Sequence, residues 1–141
     1  MDYRNVENTE RFKYRKIEIS NMKGVETVGI GSVVLGENRT VKIVLEMNKK
    51  IELKNEEIYI SVSGGIKAVE TDNNTKVTTL LHYDEKVMKL DLDNMTDFNA
   101  LEILNDANNK FYEFKKEMLK KAEEIFRFVK YAVEHNWSIS L

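Results

Sequence analysis

From about Phe12 to Leu92, apolar and polar residues alternate with a period of two. This is the pattern of strands that bury one face and expose the other. The segment "KIEIS" sets Ile17 and Ile19 to one side, and "VETVGIGSVVLG" is more apolar and broken by glycine. Gly36-Glu37-Asn38 supplies a turn, after which "RTVKIVLEM" places Val41, Ile43, Leu45 and Met47 on one face. Further turn signals at Asn48-Lys49, Asn55-Glu56, Gly64-Gly65 and Asp72-Asn73-Asn74 divide the remaining text into "KIELK", "EIYISVS", "IKAVE", "KVTTLLHYD" and "KVMKLDL". Glycine pairs tolerate the positive φ of tight turns. The spacing therefore predicts an antiparallel meander of seven or eight strands, strongly curved into a sandwich or partly open barrel.

At "LDLDNMTD" the period changes from two to 3.6. Asn94, Thr96 or Asp97 can cap a helix by accepting N–H groups that its first turn leaves unpaired. From Ala100 to Val133 the apolar residues fall in one arc, and they keep phase through the weak helix formers Asn105 to Asn109. One helix over 96–135 is predicted, with Asn108 as the place where it would bend. Its 40 residues reach roughly 60 Å, whereas a compact domain of this size is only about 35 Å wide. The helix is therefore expected to overhang its sheet and to need a cover, supplied either by the chain folding back near Asn108 or by a second copy. Phe114, Met118, Leu119, Ala122, Ile125, Phe126, Val129 and Val133 carry that surplus face, with Trp137 beyond its end. Their spacing suits helix–helix packing and predicts a homodimer or higher homo-oligomer. Lys115 is the one charge inside the arc, and the tail 137–141 alternates like a strand.

The expected fold class is α+β in a single domain, 1–141, with sheet over 12–92 and helix over 96–135. Its outline resembles pleckstrin-homology-like domains, which close a seven-stranded sandwich with a C-terminal helix. "LDLDNMTDFNALEILNDANNKF" has that strand-then-helix rhythm. The outline is also similar to the Whirly-like single-stranded-DNA binders, which repeat a four-strand-plus-helix unit, although no middle helix is visible in the text.

Composition narrows the function classes. The chain has 141 residues, 42% hydrophobic and 33% charged, with a formal net charge of −2 and neither cysteine nor proline. No apolar run approaches the roughly 20 residues of a membrane span, and the charged first 16 residues lack the core of a secretory signal. A cytoplasmic protein that contacts no membrane is expected. Without cysteine there is no thiolate metal site or thiol nucleophile.

Candidate chemistry is sparse. Gly29-x-Gly31 lies between strand-like segments rather than before a helix, so a bulge is the expected role. Asp91, Asp93 and Asp97 fit a helix N-terminus better than a Ca²⁺ loop, since the glycine and glutamate of that loop are missing. His82 and His135 are far apart in the sequence. No catalytic residue, metal site or cofactor is predicted. The segment Arg11, Phe12, Lys13, Tyr14, Arg15, Lys16 interleaves basic and aromatic side chains, a pattern that can stack nucleobases and hold phosphates. Tyr59 and Tyr83 could extend such a surface. The expectation is a non-enzymatic binding or adaptor protein that self-associates through its long helix and presents a sheet surface or pocket to a protein or small ligand. The alternative is a single-stranded nucleic-acid binder.

Overall fold

A computed structural model describes residues 23–54, 57–90 and 100–135. Four strands come first: β1 (Lys23–Val34), β2 (Arg39–Lys54), β3 (Glu57–Asp72) and β4 (Thr75–Lys89). They form one antiparallel sheet in the order β1-β2-β3-β4, and α1 (Ala100–Glu134) follows. The α+β class holds, but among the described residues the strands are four rather than seven or eight, and their sheet is an open layer rather than a sandwich or barrel; the predicted "KIEIS" strand lies outside the described residues.

The strand count falls because three predicted breaks lie inside strands. β2 runs through Asn48-Lys49, β3 through Gly64-Gly65, and β4 joins "KVTTLLHYD" to "KVMK". Alternation explains the continuity. Val41, Ile43, Leu45, Met47 and Ile51 are all buried, as are Ile58, Ile60, Val62, Ile66 and Ala68. Neither series changes parity across its supposed turn, so one face stays buried throughout. Asn55-Glu56 lies outside the described residues, between β2 and β3, and two described turn signals act. Gly36 takes φ 111° and Asn73 takes φ 53°, the region that glycine and asparagine tolerate best. Leu35 N–H closes the first hairpin by donating to the Arg39 carbonyl at 2.8 Å.

The registers of β1 and β4 shift once each, at Ile30 and at Leu81. The shifted residues pack half-buried against the core. Both bulges lie on edge strands, where such irregularities concentrate. The Gly29–Gly31 segment is thus a bulge, as expected.

The sheet removes the predicted overhang. A strand of 16 residues reaches roughly 53 Å at about 3.3 Å per residue. The 35-residue helix reaches about 52 Å. A width of about 35 Å belongs to a rounded domain, whereas strands of this length make an elongated one. α1 also lies along the strands. Lys49 Nζ sits 5.0 Å from the Phe111 ring centre, and the Phe126 ring covers Gly31, which lies beside Ile43. From Phe111 to Phe126 the helix advances about 22 Å, and from Lys49 to Ile43 the strand covers about 20 Å. α1 runs unbroken through Asn108.

Two glycines let the helix approach closely. A Cβ on Gly31 would stand 2.5 Å from Phe126 Cζ, and one on Gly64 would stand 2.8 Å from Met118 Cε. The aromatic ring is rigid, while a methionine end can swing aside. Gly31→Ala should therefore destabilise the fold by about 1–3 kcal/mol, the usual cost of overpacking, and Gly64→Ala by less. Urea unfolding of both variants, and of Gly31→Ala combined with Phe126→Leu, tests the origin of the cost. The double variant should lose less stability than the sum of the two single changes.

Candidate functional site

The helix covers one face of the sheet, and the register assigns every strand residue to that face or the other. Directly opposed residues of an antiparallel pair share a face. Val28, Leu45, Ile66 and His82 form one row toward α1, and Glu26, Met47, Gly64 and Asp84 form the next. The intervening rows point away from the helix, and among the described residues nothing covers them.

That open face holds a trough of about 660 Å³ across all four strands, within the range of small-ligand sites. One rim is the row Lys23, Lys50, Ser61, Val87, and the other is Val25, Asn48, Ser63, Glu85, with Tyr83 beyond it. Apolar groups stand in the open here: Val25 is 69% exposed, Val87 63% and Tyr83 51%. The centre is small and polar, with two hydroxyls and an amide.

Charge on this face is uneven. Its rows carry Lys23, Lys42, Lys50 and Lys54 from β1 and β2, and Lys67, Lys76 and Lys89 from β3 and β4. Against these seven stand four carboxylates, Glu46, Glu52, Glu57 and Glu85. The face is therefore net +3 on a chain whose formal charge is −2. Glu52 lies 3.0 Å from Lys50 and 3.2 Å from Lys54, and these two lysines hold its carboxyl below the usual range. Lys67 pairs with Glu46 at 3.3 Å and Lys89 with Glu57 at 2.9 Å. Lys23 has no ion-pair partner among the described residues, and it stands directly opposite Lys50. The Lys50 charge is itself met by Glu52 on the same strand.

Tyr59 and Tyr83, singled out from sequence, both lie on the open face. The Tyr59 hydroxyl donates to Glu57 at 2.5 Å, and the Tyr83 hydroxyl donates to Glu85 at 3.2 Å. Each ring is thus tied at its hydroxyl to a carboxylate two residues away on its own strand. The Tyr59 bond lowers the Glu57 carboxyl and raises the Tyr59 phenol. The other predicted nucleic-acid residues, Arg11 to Lys16, lie outside the described residues, as do Trp137 and Asp91, Asp93 and Asp97.

The stripe assigned to self-association packs on the chain's own sheet. Phe114, Met118, Ala122 and Val129 are in the core, and Leu119, Ile125, Phe126 and Val133 lie half-buried against it. Lys115 leaves the arc by pairing with Glu26 on β1. Among the described residues, the large apolar side chains of the helix left exposed are Tyr112, Phe128 and Tyr131.

A polar cluster joins β4 to the helix. Asp84 Oδ2 accepts from Lys121 Nζ at 2.9 Å and lies 2.8 Å from His82 Nε2, which donates in its Nε2–H tautomer. These bonds, His82 first and Lys121 second, hold the Asp84 carboxyl below its usual range. Among the described residues no group of three or more His, Cys, Asp or Glu side chains is placed to hold a metal ion. No described helix is long and apolar enough to cross a membrane.

Sequence reasoning missed the trough and the surplus of lysines on its face of the sheet. The signal was available, since the residues between the buried positions of β1 and β2 include Lys23, Lys42, Lys50 and Lys54. Only the register shows that these share a face with Ser61, Ser63 and Tyr83. No protein-family model matches the chain, and no curated protein or solved structure matches it either.

The Asp84 cluster gives a pH prediction. A carboxyl depressed in the folded state stabilises above its unfolded pKa, and the gain disappears as pH falls through the folded value. Asp84→Asn should therefore lower Tm by a few degrees at pH 7. That deficit should shrink on acidification from about pH 4 downward, since the unfolded pKa is about 3.9. Thermal melts of both proteins from pH 7 to pH 2 check the convergence.

Proposed function

We propose that this chain is a non-enzymatic binding module and that the open face of its sheet is the binding surface. One observation carries the reading: Val25, Val87 and Tyr83 stand exposed around a trough with a small polar centre, on a face that nothing described covers. Val25 stands on β1 and Val87 and Tyr83 on β4, so the apolar groups flank the polar residues of β2 and β3 from both edges of the sheet. A mixture of apolar walls and convergent hydroxyl and amide groups suits a small ligand or an extended chain. The helix supplies rigidity from behind, so the ligand meets a surface already formed.

Self-association through the Phe114–Val133 stripe is not carried into this proposal, because those residues pack against the chain's own sheet. Among the described residues, Tyr112, Phe128 and Tyr131 are the exposed apolar side chains of the helix that such a contact could use.

A fragment screen tests the reading before any ligand is identified. A library of chemically diverse fragments is titrated into the ¹⁵N-labelled full chain, and amide shifts are mapped. Shifts should cluster on Val25, Asn48, Ser61, Ser63, Tyr83 and Val87. Ser61→Arg and Ser63→Arg, which fill the trough from its solvent side, should abolish them while leaving Tm within a few degrees. Shifts confined to the outer face of α1, or scattered without a cluster, would count against the proposal.

A further inference from the structure

We infer that the open face, at the end beside the β1–β2 and β3–β4 turns, holds the phosphate group of a phosphate monoester between Lys42 and Lys76. The site shares a face with the trough but lies roughly 20 Å from it, counting from Asn48 to Lys42 along β2 at about 3.3 Å per residue. It stands or falls separately from the trough.

The register assembles the site from two neighbouring rows. One is Ser32, Lys42, Val69, Thr78, and the next is Val34, Thr40, Thr71, Lys76. Together they hold lysines, hydroxyls and valines but no carboxylate. Elsewhere on this face, Lys23 apart, each lysine has a partner: Lys50 and Lys54 share Glu52, Lys67 takes Glu46, and Lys89 takes Glu57. Lys42 and Lys76 are exposed and have no ion-pair partner among the described residues. Of the carboxylates near this end, Glu70 and Asp72 stand in helix-side rows, with Glu70 held by Arg39, and Glu37 lies in the β1–β2 turn.

Charge and geometry select the anion. Lys42 and Lys76 are two strands and two residues apart, or roughly 12 Å at about 4.8 Å per strand and 3.3 Å per residue. Lysine is a point charge on a flexible four-carbon stem, so both ammonium groups can lean onto one anion between them. That position lies over β3 between Val69 and Thr71, with the hydroxyls of Thr40 and Thr78 at the other two corners. A phosphate monoester brings close to two negative charges at neutral pH and three acceptor oxygens, whereas a carboxylate brings one charge and two oxygens. Two ammonium groups flanked by hydroxyl donors match the phosphate. A polyanion would need the basic track to continue. It does not, because Lys67 is already tied to Glu46, and the rows beyond it carry as many carboxylates as lysines.

The test is a chemical-shift titration of the ¹⁵N-labelled full chain with glycerol 2-phosphate, at about 20 mM salt, where surface charges are little screened. Succinate, a dianion without phosphorus, is the control. Shifts should saturate with a Kd in the millimolar range and cluster on Lys42, Val69, Thr71, Lys76 and Thr78. Lys42→Gln and Lys76→Gln should each weaken binding about 5-fold, the worth of one unit charge at contact in water. Lys23→Gln removes the same charge at the far end of the face and should change nothing. All three lysines are exposed, and circular dichroism melts confirm that the variants fold. Affinity should fall as pH drops through about 6, where the ester loses its second charge. Vesicles containing phosphatidic acid separate the sources: cosedimentation that both substitutions abolish supports the site with a lipid headgroup, and glycerol 2-phosphate binding without cosedimentation supports it with a soluble ester. Absence of saturable shifts overturns the inference. So does equal affinity for succinate, which would make the patch a general dianion surface. An equal loss in Lys23→Gln also overturns it and makes the attraction a property of the whole face. Fragment shifts at the trough without phosphate binding would leave the binding-module reading standing and remove only this site.

Discussion

The seating of α1 along the strands is the contact on which everything else depends. A helix carries its apolar residues on a stripe, and a sheet offers a pleated surface that strand side chains normally roughen. Here Gly31 and Gly64 remove the Cβ atoms under Phe126 and Met118, so the stripe sinks against the backbone. Lengths of about 50 Å on both sides let this contact continue from Ala107 to Val129. Neither element would be stable alone. A single sheet with one apolar face needs a cover, and most of a helix's stability in a protein comes from packing that face.

The width of the helix sets the chemistry of the margins. With side chains it is about 10–12 Å across, and four strands at about 4.8 Å spacing are wider than that. α1 therefore covers β1, β2 and β3, centred on β2. The helix-facing positions in the middle of β4, between Val77 and Met88, include His82, Asp84 and Lys86 rather than an unbroken apolar series. Lys121 reaches over this margin to Asp84, and on the opposite margin Lys115 reaches Glu26 on β1. Long cationic side chains with apolar stems suit such edges, which is why a lysine could stand inside the helix's apolar arc.

Most of the fold is legible in the sequence, and the misread part has one cause. Phase continuity identifies the helix, because its arc survives the Asn105–Asn109 cluster and so implies one element. The same continuity joins Met47 to Ile51 and Val62 to Ile66 within single strands. Turn-prone residues at Asn48-Lys49 and Gly64-Gly65 mask it, although Gly64 faces the helix and owes its place to the approach of Met118. The false overhang follows directly, since four long strands make a longer sheet than eight short ones. The site is less legible. Tyr59 and Tyr83 stand out as aromatics, but their shared face, and the meeting of Lys23 with Lys50, depend on long-range register that no local pattern encodes. The one-residue shifts at Ile30 and Leu81 defeat counting by parity alone.

The open face also bears on why its charge is uneven. A solvated antiparallel face needs polar residues, and balanced pairs would satisfy that need. Much of the face follows such pairing: Lys54 stands opposite Glu57, Glu46 takes Lys67, and Glu57 takes Lys89. Solubility therefore does not require Lys23, which no described carboxylate pairs, to face Lys50. Sequences that agree with their fold at most positions and conflict with it at a few tend to place those conflicts where a ligand acts. The conflict here lies at the rim of the trough, beside exposed Val25 and between the rows that carry the two tethered tyrosines. With Lys50 already held by Glu52 at 3.0 Å, what stands unpaired at this rim among the described residues is the single charge of Lys23.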